Sequence, residues 1–193
     1  MKKLVLGMLV SLLATPVFAE SQGSIDLVLG KSTHEADYDS MQFLSESDTA
    51  ITIRGSYAIT PYIGVELGYS DHGEVDTSYV DGFGDFITDK FSVTSLNLGL
   101  KGTIPLDDKF SLNARLGMSD WSMDIEEKDS SFPGITFQYE EDGTDMYYGI
   151  GLQFQATPQL RIGVEYTKTS LEPSDSDVNY DITHSALSLG YTF

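Results

Sequence analysis

Ser185-Ala-Leu-Ser-Leu-Gly-Tyr-Thr-Phe193, the final stretch of the chain, alternates strictly in character. Leu187, Leu189, Tyr191 and Phe193 fall on one face of a strand, and Ala186, Ser188, Gly190 and Thr192 fall on the other. In a soluble protein an exposed strand with a bare apolar face invites aggregation. In a transmembrane barrel the same strand is expected, because its apolar face meets lipid, its small face meets the lumen, and closure removes the edge. Taken alone, the segment fits the last strand of a soluble β-sandwich about as well. The rest of the chain decides between them.

Seven further stretches alternate in the same way. Ile25, Leu27 and Leu29 oppose Ser24, Asp26 and Gly30. Ile51, Ile53 and Tyr57 oppose Thr52, Arg54 and Ser56. Ile63, Val65, Leu67 and Tyr69 oppose Gly64, Glu66 and Gly68. Leu96, Leu98 and Leu100 oppose Asn97, Gly99 and Lys101, although the start of that strand at Phe91 loses phase and predicts a bulge or a late start. Phe110, Leu112, Leu116 and Met118 oppose Ser111, Asn113, Arg115 and Gly117. Met146, Tyr148, Ile150, Leu152 and Phe154 oppose Tyr147, Gly149, Gly151 and Gln153. Leu160, Ile162, Val164 and Tyr166 oppose Arg161, Gly163 and Glu165. Eight strands of about 9–11 residues each cross a bilayer at a tilt.

The connections alternate too. Tight turns at Thr60-Pro61, Pro105–Asp108 and Thr157-Pro-Gln159 separate four long polar connections, 33–49, 71–90, 120–145 and 168–183. An up-and-down barrel in an outer membrane has this pattern of short periplasmic turns and longer outer loops. A sandwich with crossovers has no reason for it. A lipocalin-like barrel would put its large apolar residues inside, whereas here one face carries Gly, Ser, Thr, Asn, Gln and mixed charges.

The front of the chain reads as an export signal. Lys2 and Lys3 precede the apolar run Leu4–Leu13, and Val17-Phe-Ala19 supplies small residues before a cut, so residues 1–19 are expected to be removed and 20–193 to form one barrel domain. No stretch reaches the roughly 18 unbroken apolar residues of a spanning helix. There is no cysteine, which excludes disulfides and thiol chemistry. The formal net charge of −19 becomes −21 once Lys2 and Lys3 are lost. Such a surface disfavours nucleic acid. Of the 30 acidic residues, 24 lie in the four long connections, so the charge gathers at one end of the barrel.

Together these features make the fold class all-β, an eight-stranded antiparallel up-and-down transmembrane β-barrel. The arrangement resembles the small outer-membrane barrels of the OmpA and OmpX type. The segments that carry the resemblance are Leu187-Ser-Leu-Gly-Tyr-Thr-Phe193, Tyr147-Tyr-Gly-Ile-Gly-Leu152 and Leu160-Arg-Ile-Gly-Val-Glu-Tyr166. The resemblance implies the cell outer membrane as the location, with its lipid and lipopolysaccharide as surroundings. It also implies that Leu187, Leu189, Tyr191 and Phe193 form the recognition signal for the outer-membrane assembly machinery. The chain departs from full-length OmpA by ending at the barrel, so no cell-wall tether is carried over.

Seven ionisable residues face inward: Asp26, Glu66 and Glu165 against Arg54, Lys101, Arg115 and Arg161. They predict an ion-pair network that fills the lumen, since an isolated charge there costs several kcal/mol, and eight strands leave an interior that side chains just fill. A turn centred near residue 60 would set Arg54 directly opposite Glu66. The alternative is a narrow channel for small solutes or ions, gated by the same charges. Outward Tyr57, Phe110, Phe154, Tyr191 and Phe193 at the short-turn end, with Tyr69, Tyr148 and Tyr166 at the other, predict two interfacial girdles.

The acidic connections are expected to be solvated and flexible, to bridge divalent cations to lipopolysaccharide phosphates, or to meet a surface partner through Tyr79, Phe83, Trp121 and Phe132. Asp175-Ser-Asp177-Val-Asn179 begins like a calcium loop, but Tyr180 replaces its glycine and Ala186 its bidentate glutamate. Asp81-Gly-Phe-Gly-Asp85 is no more specific. No cofactor is expected. Some barrels of this size modify lipid A, but His34 and His72 lie in or at the edge of loops, and His184 and Ser185 point to opposite faces. The expected function is therefore non-enzymatic: a plugged barrel serving envelope integrity or surface interaction.

Overall fold

The computed structural model describes residues 22–38, 41–172 and 178–193. The expected export signal lies outside these residues, as does most of the calcium-like stretch at 175–179. Eight strands follow one another: β1 (Gly23–Tyr38), β2 (Met41–Ala58), β3 (Ile63–Val80), β4 (Phe86–Pro105), β5 (Phe110–Asp129), β6 (Phe137–Gln155), β7 (Leu160–Leu171) and β8 (Val178–Thr192). Each pairs antiparallel with the next, and β8 returns to β1, with Leu27 opposite Leu189, to close the barrel.

The three tight turns share one device. Thr60 Oγ1 accepts hydrogen bonds from the amides of Tyr62 and Ile63, and Thr157 Oγ1 accepts from those of Gln159 and Leu160. Asp107 Oδ1 does the same for Lys109 and Phe110, at 2.7 Å each. A side-chain oxygen thus stands in for a backbone acceptor and fixes each hairpin. The two amides hold the Asp107 carboxyl below the usual carboxylate range.

At the height of these turns and for about ten residues above them, the barrel is inside-out. Leu27, Leu29, Ile51, Ile53, Leu67, Leu98, Leu100, Leu116, Ile150, Val164 and Leu187 are exposed on the outer face, while Asp26, Arg54, Glu66, Asn113, Arg115 and Glu165 are buried within. Seven of the eight outward aromatics are exposed, and Phe154 is half-buried, in contact with Phe110 at 5.1 Å between ring centroids.

Above that band the expected long loops are mostly strand. Two of the joins at that end, residues 81–85 and 130–136, are short. The polarity of the wall also inverts. Leu44, Val75, Val93, Trp121, Met123, Leu171, Tyr180 and Ile182 point inward into an apolar core, with Phe91 and Ile125 packed against it. Asp76, Asp120, Asp124, Glu140 and Asp142 stand outward. Water replaces lipid outside, so the upper barrel is built like a soluble protein. Trp121, expected on the surface, is 2% exposed, whereas Tyr79, Phe83 and Phe132 are exposed.

The inversion accounts for the lost phase at Phe91. β4 pairs with β5 without a break from Ile87–Asp129 to Pro105–Ser111. Phe91 and Val93 sit on the inward face in the apolar core, and Leu96 sits on the outward face in the lipid band, so the strand changes polarity rather than phase. The irregularity lies in β3 instead, between Asp71 and Glu74. Gly73 takes a φ of +78° there, a conformation that costs glycine little. Below it the even-numbered residues of β3 face inward; above it Val75 does.

The upper barrel is also split. Pairing of β2 with β3 ends at Ile51–Asp71, and pairing of β6 with β7 ends at Tyr147–Thr169. One carboxylate bridges each seam. Asp48 Oδ2 on β2 accepts from the Glu74 amide on β3 at 2.9 Å. Asp145 Oδ2 on β6 accepts from Trp121 Nε1 at 2.7 Å and from the Glu172 amide, just past β7, at 3.0 Å.

Candidate functional site

Among the described residues, chemistry-bearing side chains from nearly every strand converge in the lumen. At its centre Arg54 (β2), Glu66 (β3), Arg115 (β5) and Glu165 (β7) alternate in charge. Arg54 meets Glu165 through two hydrogen bonds, Nη2 to Oε1 at 2.8 Å and Nη1 to Oε2 at 3.2 Å. Arg115 reaches Glu66 Oε2 through Nε and Glu165 Oε2 through Nη1, both at 3.2 Å. Arg54 Nε lies 4.0 Å from Glu66 Oε1, so the four groups close on themselves. All four residues are buried. A forked guanidinium against a carboxylate is the strongest ion pair available to side chains.

The expected register of the β2–β3 hairpin is two residues off. Arg54 lies opposite Gly68, and Ser56 lies opposite Glu66. The hairpin turns about Pro61 rather than residue 60. Arg54 consequently reaches across the lumen to β7 for its main partner.

Tyr147 on β6 completes this layer, donating from its hydroxyl to Glu66 Oε1 at 3.0 Å. It had not been singled out as a site residue. The signal was present, because Tyr147 is a large side chain on a face otherwise small. Gly117 lies directly opposite it and Gly99 opposite Gly117. A Cβ at either glycine would run into the ring.

Toward the short turns the layer is asymmetric. Arg161 Nη2 donates to Asp26 Oδ1 at 3.1 Å, and a Cβ on Gly190 would strike that oxygen. Lys101, 7% exposed, has the Gln153 amide oxygen at 3.5 Å and, among the described residues, no carboxylate within ion-pair distance. Gln153 was likewise not anticipated as a partner.

Toward the outer end the charges give way to neutral groups. Thr52 and Ser70 share a hydrogen bond at 2.8 Å, and Asn97 Nδ2 donates to Ser70 at 3.0 Å. A cavity of about 30 Å³ lies here, lined by Arg54, Glu66, Tyr147, His72 and His184, room for ordered water. His34 and His72, expected in or beside loops, are buried inward on β1 and β3, because the strands run past the point where alternation fades. His34 Nε2 lies 2.9 Å from the His72 carbonyl, so it must donate; Nδ1 then accepts from the Tyr180 hydroxyl at 2.9 Å. His72 Nε2 meets Ser95 Oγ at 3.0 Å, and its ring packs edge-on against His184. The apolar core covers this layer. Among the described residues no group of three or more His, Asp and Glu is placed to hold a metal ion.

Leu187, Leu189, Tyr191 and Phe193 lie exposed on the outer face at the β8–β1 edge of the lipid band, with Leu187, Leu189 and Tyr191 opposite Leu29, Leu27 and Ile25 of β1.

Solved structures with the same fold include Ail of Yersinia pestis in complex with the heparin analogue sucrose octasulfate, 19% identical, covering 89% of this chain and 99% of that one with a TM-score of 0.55. Neisserial surface protein A covers 88% and 97%, at 9% identity and a TM-score of 0.61. The protease OmpT of Escherichia coli also superposes, at 13% identity and a TM-score of 0.52 over 93% of this chain and 99% of that one. One of these barrels is a protease, so fold alone does not decide activity. Among curated proteins, outer membrane protein A of Shigella flexneri is 25% identical over 140 residues, and that of Salmonella typhi is 24% identical over 140 residues. Each alignment covers 72% of this chain but 38% of the relative, so the chain matches little more than a third of those proteins. Residues 5–193 match the model of the outer membrane protein beta-barrel domain, and the chain belongs to that family, a barrel of the outer membrane.

Proposed function

We propose that this protein is a non-enzymatic, closed barrel that serves envelope integrity or surface interaction, its lumen plugged and its acidic upper wall turned to the outside. The observation that carries this reading is the stacking of two unlike seals. The Arg54–Glu165–Arg115–Glu66 layer fills the lumen with paired charge, and the apolar core from Leu44 to Ile182 fills it again above. A solute would have to break a buried ion-pair layer, costing about 3–5 kcal/mol for one lost partner, and then part a dry core. A narrow channel needs both to yield together. His184 and the other two histidines are enclosed by the wall, away from any lipid they would have to modify.

The outer end presents carboxylates on successive strands, so a cationic surface, or an anionic one bridged by divalent cations, complements it best. A bare polyanion such as the heparin analogue held by Ail does not. Cleavage after Ala19, and recognition of Leu187, Leu189, Tyr191 and Phe193 by the assembly machinery, belong to the same proposal. The test is conductance of the refolded mature protein in a planar bilayer, with folding verified by a heat-modifiable gel shift. Electrical silence is expected. Discrete steps whose ion selectivity follows substitution of Arg54 or Glu66 would replace the plug with a gate.

A further inference from the structure

The short-turn mouth of the lumen holds a cavity of about 200 Å³ that the plug does not fill. Its wall includes two cationic side chains, Lys101 and Arg161, together with Ser24, Ser56, Thr103 and Gln153. Among the described residues it includes no aspartate or glutamate, in a chain with 30 acids and 11 bases. The surroundings are therefore opposite in character to the rest of the molecule.

The charges of the lumen explain why. The central layer balances, two arginines against two glutamates. Below it Asp26 stands against both Arg161 and Lys101, leaving one positive charge over. Arg161 takes Asp26 Oδ1 at 3.1 Å. Lys101 is left with a single amide oxygen at 3.5 Å. Its stem rises from β4 between Gly64 of β3 and Arg115 of β5, so its nearest neighbour along the wall on one side is a second cation. A buried ammonium without a counter-ion is costly. Hydroxyl and amide donors ring the cavity, and these together with an ammonium and a guanidinium are what a phosphate-type oxyanion requires.

We infer that this mouth is a binding site for a small phosphate-type anion, held by Lys101 and Arg161 and entered from the short-turn side. The volume is well above the roughly 10–15 Å³ of cavity that one water needs and admits a single phosphate group. The site is independent of the plug. It lies on the other side of the central layer from the apolar core, and a barrel that conducted would still carry the excess charge. Two sources supply the chemistry: free phosphate from the aqueous side, or the headgroup of a phospholipid of the nearer leaflet.

The test uses the mature protein refolded in octyl glucoside, which contains no phosphate. One arm titrates inorganic phosphate and the other dihexanoyl phosphatidic acid, each followed by isothermal calorimetry and by ³¹P line broadening. Saturable binding in either arm is expected, and the arm that binds identifies the source. Lys101→Gln removes the charge and keeps a polar end one atom shorter; it weakens binding on the order of tenfold or more while the heat-modifiable band persists. Lys109→Gln, on an exposed turn outside the cavity, leaves binding unchanged and controls for a nonspecific charge effect. The inference is overturned if the folded wild-type protein binds neither probe, or if Lys101→Gln binds as tightly as wild type. Should Lys101→Gln fail to fold, Thr103→Val, which keeps the charge and removes a lining hydroxyl, must weaken binding, and an unchanged affinity there overturns the inference equally.

Discussion

Each charge in the central layer has more than one partner, and that decides what a substitution does. Arg115 serves both Glu66 and Glu165, so Arg115→Met leaves Glu165 its Arg54 fork and Glu66 the Tyr147 hydroxyl, but sets two carboxylates against one guanidinium in an interior walled by lipid. A loss of about 3–5 kcal/mol follows. Tyr147→Phe removes one donor from Glu66, which keeps Arg115; the expected cost is about 1.5–3 kcal/mol, the range for hydrogen bonds to charged groups. Urea unfolding of the refolded protein, read by the gel shift, ranks the two. Equal and small effects would mean that water, rather than these partners, solvates Glu66. The ring of Tyr147 fits only because Gly99 and Gly117 carry no Cβ beneath it, so the large residue and its two glycines form one feature spread over three strands.

At the scale of the element, β3 carries the change of architecture. Gly73→Ala would place a Cβ 2.7 Å from the Thr49 carbonyl oxygen and from Asp48 Oδ2 at a φ of +78°. Hydrogen exchange should rise at the amides of 75–80 and stay unchanged at 63–71, where the lipid band holds the strand. Exchange rising along the whole of β3 would mean that the two halves do not melt separately. The Asp48 bridge makes the same seam sensitive to acid. The Glu74 amide first, and then that of Thr49, hold the Asp48 carboxyl below its ordinary range. A depressed carboxylate contributes its stability above its ordinary pKa, about 3.9, and loses it as pH falls through the lowered value. Exchange at Glu74 should therefore be flat from pH 7 to about 5 and accelerate, after correction for intrinsic rate, below about 4. Asp48→Asn should abolish the step.

The lipid band was legible in the sequence because one environment acted on each face. Outside Leu27 and Leu187 there is only hydrocarbon, and inside Arg54 and Glu165 there are only other polar groups, so alternation was unambiguous. The upper wall was not, although it is strand of the same kind. From Thr33 to Thr49 the outside is water, polar residues are tolerated there, and the few inward apolar residues are spaced too widely to show a period. Acids on a solvated strand face and acids in a loop look alike as sequence. The register error at Arg54 has a different origin. A shift of one residue in the centre of a four-residue turn moves every cross-strand pair by two, and the residues alone do not fix that centre. The partnership of Arg54 with Glu165, which lie 111 positions apart, depends on how the barrel closes.

For the whole molecule, the inversion of polarity makes a claim about where the membrane ends, and the native sequence supplies the probe. Trp121 is the one tryptophan of the chain. It is buried in the apolar core, one residue beyond the outward-facing Asp120 and donating to Asp145. If lipid reached this height, the outward acids Asp120, Asp124 and Asp142 would stand in hydrocarbon, where each charge costs at least a few kcal/mol. The boundary must therefore run below Asp120 and above Met118, whose exposed side chain belongs to the lipid band. Trp121 is then surrounded by protein, above the membrane. Its emission should be blue-shifted, as for a dry core, and should resist two quenchers at once: acrylamide from the water and brominated acyl chains from the bilayer. The two failures locate it in different ways. Quenching by acrylamide alone would mean that the upper barrel is open and its core wet, which would remove one of the two seals. Quenching by brominated chains alone would place the ring in the lipid band, and the upper wall would then have to be read as membrane-embedded. Resistance to both, lost together in Leu44→Ala as the core loosens, is the result expected of a barrel that is inside-out in the membrane and right-side-out above it.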